Sequence, residues 1–263
     1  MLDINPAIVL AGLLIGFLVG LTGIGGGALT TPLLILVFKV PPFVAVSSDL
    51  VAALAMKVVG GGVHLRRGTV QKPIVAWLSV GSVPGAFAGV IVLQWLDEGQ
   101  VEAVITRALG AALLVAATMM VLRPALERRR QRSAPVPAPA ATTGALAPRR
   151  AATVAVGALV GLAVGITSVG SGSLVVVSLL FLYPRLRSAE LVGTDLVQAA
   201  LLVASAAVGH LLFGQVQLGL TTSLVLGSVP GAYLGARASI KAPDRVLRPI
   251  LCTVLALTGL RLI

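Results

Sequence analysis

The chain has 263 residues, 57% of them hydrophobic and only 11% charged, with a mean hydropathy of +1.03. Soluble domains carry about 25% charged residues, so a soluble globular fold is excluded. The net charge of +11 does not indicate nucleic acid: seven of the twenty Lys/Arg residues fall in one segment, 123–150, most others sit in short loops between apolar runs, and no aromatic residues are interleaved with the arginines.

The first residues, MLDINP, lack the basic stretch of a secretory signal peptide and read as the mature start. An apolar segment over 5–38 follows, carrying GLTGIGGGALTTP at 20–32. Spans are expected next at 43–63, 73–95 and 102–122; the run PIVAWLSVGSVPGAFAGVIVLQW (73–95) has no charge and is long enough to cross a bilayer. Residues 123–150 are Arg-, Pro- and Ala-rich without a hydrophobic period and read as a linker. A second long apolar segment covers 151–183, followed by spans at 190–210, 216–236 and 246–263. The single cysteine, Cys252, excludes an intrachain disulfide and a cysteine metal cluster.

The chain contains itself twice. SSDLVAAL (47–54) matches GTDLVQAA (193–200), GGVHLRRGTV (61–70) matches AVGHLLFGQV (207–216), and GSVPGAFAG (81–89) matches GSVPGAYLG (227–235), all at an offset of 146. GLTGIGGGAL (20–29) matches GITSVGSGSL (165–174) at an offset of 145. The domains are therefore a first transmembrane repeat, 1–122, the linker 123–150, and a second transmembrane repeat, 151–263.

The long segments would each reach about 50 Å as continuous helices, against a hydrocarbon core of about 30 Å. Glycine costs about 1 kcal/mol per residue in a helix relative to alanine, so each segment is expected to break at its Gly/Ser cluster and turn back. With two such turns, most Lys and Arg gather on the side of the 64–72 loop and the linker, as positive-inside charge placement requires. The expected fold is an all-α polytopic membrane protein of two homologous, inverted-topology halves, each a broken, re-entrant helical segment plus three transmembrane helices. Eight simple spans are the alternative.

The two Gly/Ser-broken segments, each followed by a small-residue–Asp motif, together with PFVAVSS (42–48), resemble the TauE/SafE family of sulfite and organosulfonate exporters. The resemblance covers nearly the whole chain apart from the linker. It implies a permease of the bacterial inner (plasma) membrane for sulfite, sulfonates or related organic anions, multi-pass, with the linker cytoplasmic. The family commonly has a hydroxyl residue where this chain has Asp49 and Asp195.

Broken helices in transporters point their ends at the substrate, and the amides freed at a half-helix start suit an anion. The candidate substrate-binding residues are Thr22, Gly23, Gly25, Gly26, Gly27, Thr167, Ser168, Gly170, Ser171, Gly172 and Lys57, with Ser173 a further hydroxyl. The bland alternative is that the small residues only let helices pack tightly. Asp49 and Asp195 are candidates for proton coupling, or else cap their helices. Lys57, whose repeat equivalent is Val203, holds the anion, pairs with Asp49, or snorkels to the interface. His64 and His210, equivalent in the repeat, are expected to cap span ends at the interface, and the duplicated SVPGA (82–86, 228–232) to kink its spans.

No catalytic residue, cofactor or metal site is expected: Gly-x-Ser-x-Gly and His-Glu-x-x-His are absent, and the chain has nine acids. The partners are a small anion and the lipid bilayer, with a homodimer left open. Two competing functions remain, a cation or metal permease using Asp49 and Asp195 as ligands, and a non-transporting membrane scaffold.

Overall fold

The computed structural model describes residues 4–22, 25–66, 68–133, 149–184, 186, 188–238 and 244–263. The described chain is helical, without a strand, in ten helices: α1 (Pro6–Thr22), α2 (Gly27–Leu36), α3 (Pro42–Arg66), α4 (Lys72–Gln94), α5 (Glu98–Ser133), α6 (Arg150–Thr167), α7 (Ser173–Leu182), α8 (Ser188–Phe213), α9 (Leu218–Ala238) and α10 (Asp244–Leu262). Among the described residues five stretches are long and apolar enough to cross a membrane: Lys72–Gln94, Gly99–Leu122, Arg150–Thr167, Glu190–Phe213 and Leu218–Gly235. Large apolar side chains also cover the outside, among them Leu10, Leu14, Leu159, Leu211 and Leu212, as a lipid-facing surface requires. This is a polytopic helical membrane protein.

Both long segments break where the glycines cluster. α1 ends at Thr22 and α2 starts at Gly27; α6 ends at Thr167 and α7 starts at Ser173. In the second break Ser168 takes the left-handed conformation (φ 62°) and Gly170 follows at φ +112°, a region that penalises any Cβ. Each segment then doubles back. Tyr183, just past α7, takes its hydroxyl to the start of α6, 2.6 Å from Thr153 Oγ1 and accepting the Arg149 amide at 3.0 Å. Val40, just past α2, lines one groove with Ile4, Asn5, Pro6 and Ile8 at the start of α1.

The helices pair across the repeat: α1 with α9, α4 with α6, α3 with α8, and α5 with α10. The repeat offset makes α1 equivalent to α6 and α9 to α4, so the first two pairs are copies of one another. Both are parallel and glycine-lined. A Cβ on Gly85 would stand 2.6 Å from the Ala158 carbonyl oxygen, and one on Gly89 2.7 Å from that of Leu162. Gly227, Gly231 and Gly235 meet Val9, Leu13 and Phe17 in turn. Such four-residue spacing lets helix backbones touch where lipid offers no hydrophobic drive. The SVPGA motifs belong to these stripes. Their prolines, Pro84 and Pro230, lie inside α4 and α9, which continue as helix on both sides.

The other two pairs join equivalent helices, and both are antiparallel. Ser47 meets His210 while Gly61 meets Val197 across α3 and α8; Gly110 meets Gly259 while Ala117 meets Cys252 across α5 and α10. A two-fold axis across the helices makes equivalent partners antiparallel, whereas an axis along them would make them parallel. α5 also continues beyond the span expected to end at 122, as far as Ser133.

Candidate functional site

The two breaks meet each other inside the protein. A Cβ on Gly25 would lie 3.5 Å from both the Gly172 amide nitrogen and Ser171 Oγ, and one on Gly27 would collide with Ser168. Two segments related by the repeat offset thus form one junction, where α1 and α6 bring their carboxyl ends and α2 and α7 their amino ends. Neither Gly26 nor Gly172, the residues that open α2 and α7, supplies a side-chain cap to the helix amides. Those ends carry roughly half a positive charge each.

Of the expected substrate residues, Gly25, Gly26, Gly27, Ser168, Gly170, Ser171 and Gly172 lie in this junction, with Ser168 and Ser171 buried. Gly26 looks toward Met56, whose Cε would be 3.0 Å from an added Cβ. Thr167 is buried too, but its hydroxyl is engaged locally: it donates to the Ala163 carbonyl at 2.7 Å and accepts the Val169 amide at 3.1 Å. Gly23 and the Thr22 side chain lie outside the described residues.

Asp49 is fully buried. Its Oδ2 is in hydrogen-bond contact with Thr31 Oγ1 at 2.9 Å and with Ser168 Oγ, and the two hydroxyls stand 3.2 Å apart. The other carboxyl oxygen, Oδ1, is buried without a hydrogen-bond partner. The alternative of helix capping is corrected for both acids. Asp49 and Asp195 sit about two turns inside α3 and α8, which begin at Pro42 and Ser188, and Asp195 is only 3% exposed. Thr31 is not among the residues singled out from the sequence, where its one signal is a hydroxyl before Pro32 in the run that follows the glycines.

Lys57 is 7% exposed and interacts electrostatically with Asp195 and with Asp49. Snorkelling to the interface is therefore corrected: the side chain is held inside, within electrostatic range of both acids. His210 is likewise buried, against the expectation of an interfacial cap. Its Nε2 donates to the Gly165 carbonyl at 2.8 Å and its Nδ1 lies 2.8 Å from Ser47 Oγ, so the ring ties α8 to α3 and to the end of α6. His64 is half-buried at a helix end, with Nδ1 2.9 Å from Thr69 Oγ1. A hydrogen bond of 2.6 Å from Gln198 to Ser82 Oγ adds a further buried polar tie between α8 and α4. Among the described residues no group of three or more His, Cys, Asp or Glu side chains forms a metal-binding cluster.

The model of the family described as sulfite exporter TauE/SafE matches residues 8–262. The chain belongs to the TauE/SafE family. This TauE/SafE protein is 36% identical, over 98% of its length and the whole of the relative, to a protein of Bacillus subtilis (strain 168) named probable membrane transporter protein YjnA. It is 25% identical to the probable membrane transporter protein YdhB of the same organism, over 97% of this chain and 99% of the relative. A shorter match, 34% identical, covers 41% of this chain and 35% of the probable membrane transporter protein YunE, again from that organism. No solved structure matches the chain. The TauE/SafE protein is thus a membrane transporter by family.

Proposed function

We propose that this TauE/SafE protein is a permease for small anions, with sulfite, sulfonates or related organic anions as the preferred class, acting by alternating access in a bacterial plasma membrane. The observation that carries the reading is the meeting of two half-helix amino ends, uncapped by side chains, at one glycine-rich junction. An anion there receives amide donors and a fixed positive field, and the glycines admit its oxygens to the backbone. Lys57 supplies a buried positive charge that acts on Asp195 and Asp49.

The antiparallel pairing of α3 with α8 and of α5 with α10 supports two halves inserted in opposite senses, with both broken segments re-entrant. In that arrangement the linker and the 64–72 loop face the cytoplasm. Rocking of one half against the other would open the junction to each side in turn. A metal or other multivalent cation is the weaker cargo, because a buried ammonium already lies within electrostatic range of both acids.

Flux of labelled sulfite and short sulfonates into proteoliposomes tests this. Gly25→Ala is the informative variant, since an added Cβ at Gly25 meets only ordinary contacts at 3.5 Å and so narrows the junction without a backbone clash. Saturable flux lost in Gly25→Ala protein of unchanged stability supports the site. Equal flux in both overturns it.

A further inference from the structure

We propose that Asp49, Thr31 and Ser168 form a proton-binding site that latches the two halves together. Three oxygens, Asp49 Oδ2, Thr31 Oγ1 and Ser168 Oγ, form a triangle in which every pair is in hydrogen-bond contact. The two hydroxyls bring two hydrogens. If Asp49 is a carboxylate, both hydrogens point at Oδ2 and the Thr31–Ser168 contact at 3.2 Å has none between its oxygens. A third hydrogen on the carboxyl closes the ring: Asp49 donates to Ser168, Ser168 to Thr31, and Thr31 back to Asp49, so that each oxygen gives one bond and takes one.

The orphaned oxygen points the same way. Among the described residues Asp49 Oδ1 is buried without a hydrogen bond, the neighbouring Thr30 hydroxyl, which also acts on the carboxyl, donating to the Gly26 carbonyl at 3.1 Å. As half of a carboxylate it would be an unsatisfied buried charge; as the carbonyl of an acid it is a neutral acceptor, far less costly to leave dry. The surrounding charges leave the assignment in place. Lys57 lies eight residues on along the same helix, about 12 Å by helical rise, and its stronger electrostatic partner is Asp195 on α8. α2 and α7 carry no titratable side chain. His210 reaches α3 only through Ser47, while Arg107 on α5 and Arg237 on α9 are exposed.

The site is one-sided, although the chain is a repeat. Asp195 is equivalent to Asp49, but the positions equivalent to Thr31 and Ser168 are Val176 and Gly23, so the hydroxyl ring exists in one copy. It joins the first hairpin through Thr31, α3 through Asp49 and the second break through Ser168. Loss of the proton removes one of three bonds at the seam between the halves. That this release accompanies transport rests on the permease reading; the proton itself does not.

Infrared spectra of the full-length protein in lipid, recorded from neutral to alkaline pH, test the site without any transport assay. A carboxylic-acid carbonyl band should be present at neutral pH in the wild type, absent in Asp49→Asn and retained in Asp195→Asn. Ser168→Gly, which keeps the left-handed backbone, and Thr31→Val should each shift the band, and these two also serve if Asp49→Asn fails to fold. The proposal is overturned by a wild type without the band, by an unchanged band in Asp49→Asn, or by a band indifferent to both ring variants. Loss of the band on adding sodium at constant pH would also overturn it, making the triangle a sodium site. Normal spectra beside absent anion flux would leave the proton site standing and remove the cargo.

Discussion

Ser168 hydrogen-bonds to Asp49 across 119 residues, so a hydroxyl from the break of the second half satisfies the acid of the first. The contact places the seam between the halves at the point where both broken helices end. It also makes Asp49 and Asp195, equivalent in sequence, unlike in surroundings.

The charge network around Lys57 should be cooperative. Lys57→Met removes the buried ammonium that acts most strongly on Asp195, and losing one member of a buried charge pair costs up to about 3–5 kcal/mol. Adding Asp195→Asn should recover a large part of that loss. A double-mutant cycle by thermal unfolding in detergent checks it; simple additivity of the two changes would show that Lys57 and Asp195 do not interact.

The two histidines should differ in consequence. His210→Phe strands the Gly165 carbonyl in a buried seam, at about 1–3 kcal/mol, while Ser47 keeps its hydrogen bond to the Phe43 carbonyl at 2.7 Å. His64→Ala releases a half-buried contact to Thr69 and should cost about 1 kcal/mol or less. Unfolding midpoints of the two variants, measured side by side, give the comparison.

Glycines in the stripes should be intolerant where others are not. Gly85→Val drives a side chain onto the Ala158 backbone, and overpacking of this kind costs about 1–3 kcal/mol or more. Gly62→Ala, which meets nothing within 4 Å inside α3, should instead stabilise by about 0.5–1 kcal/mol. Opposite shifts in thermal stability are the expected result.

Cysteine accessibility settles the sense of insertion. In a Cys252→Ala background, Lys39→Cys and Gln215→Cys should react with an impermeant reagent from one side of the membrane. Gly68→Cys and Pro184→Cys should react only from the other. Eight simple spans would instead place 39 and 184 together, opposite 68 and 215.

The helix breaks are legible in the sequence because their causes are local. A segment of 5–38 or 151–183 exceeds the bilayer as one helix, and its Gly/Ser cluster is where helical backbone is weakest. The doubled halves are equally plain, since an offset of 145 or 146 needs only comparison of the chain with itself. The four-residue glycine spacing in α4 and α9 is visible in the sequence too, yet the proline of SVPGA suggests a kink instead. What decides between them is the backbone that lies opposite.

What the sequence by itself determined was the membrane setting, the repeat, the break points and the short set of buried polar residues, because composition and backbone propensity act within a few residues. Tertiary structure alone decided their partners. Thr31 and Ser168 closing on Asp49, Lys57 within electrostatic range of Asp195, His210 buried rather than interfacial, and α3 running against α8 are all relations between residues apart in the chain. Pairing of that kind is fixed by which helix faces fit backbone to backbone, and the glycine stripes express that fit only when both helices are present.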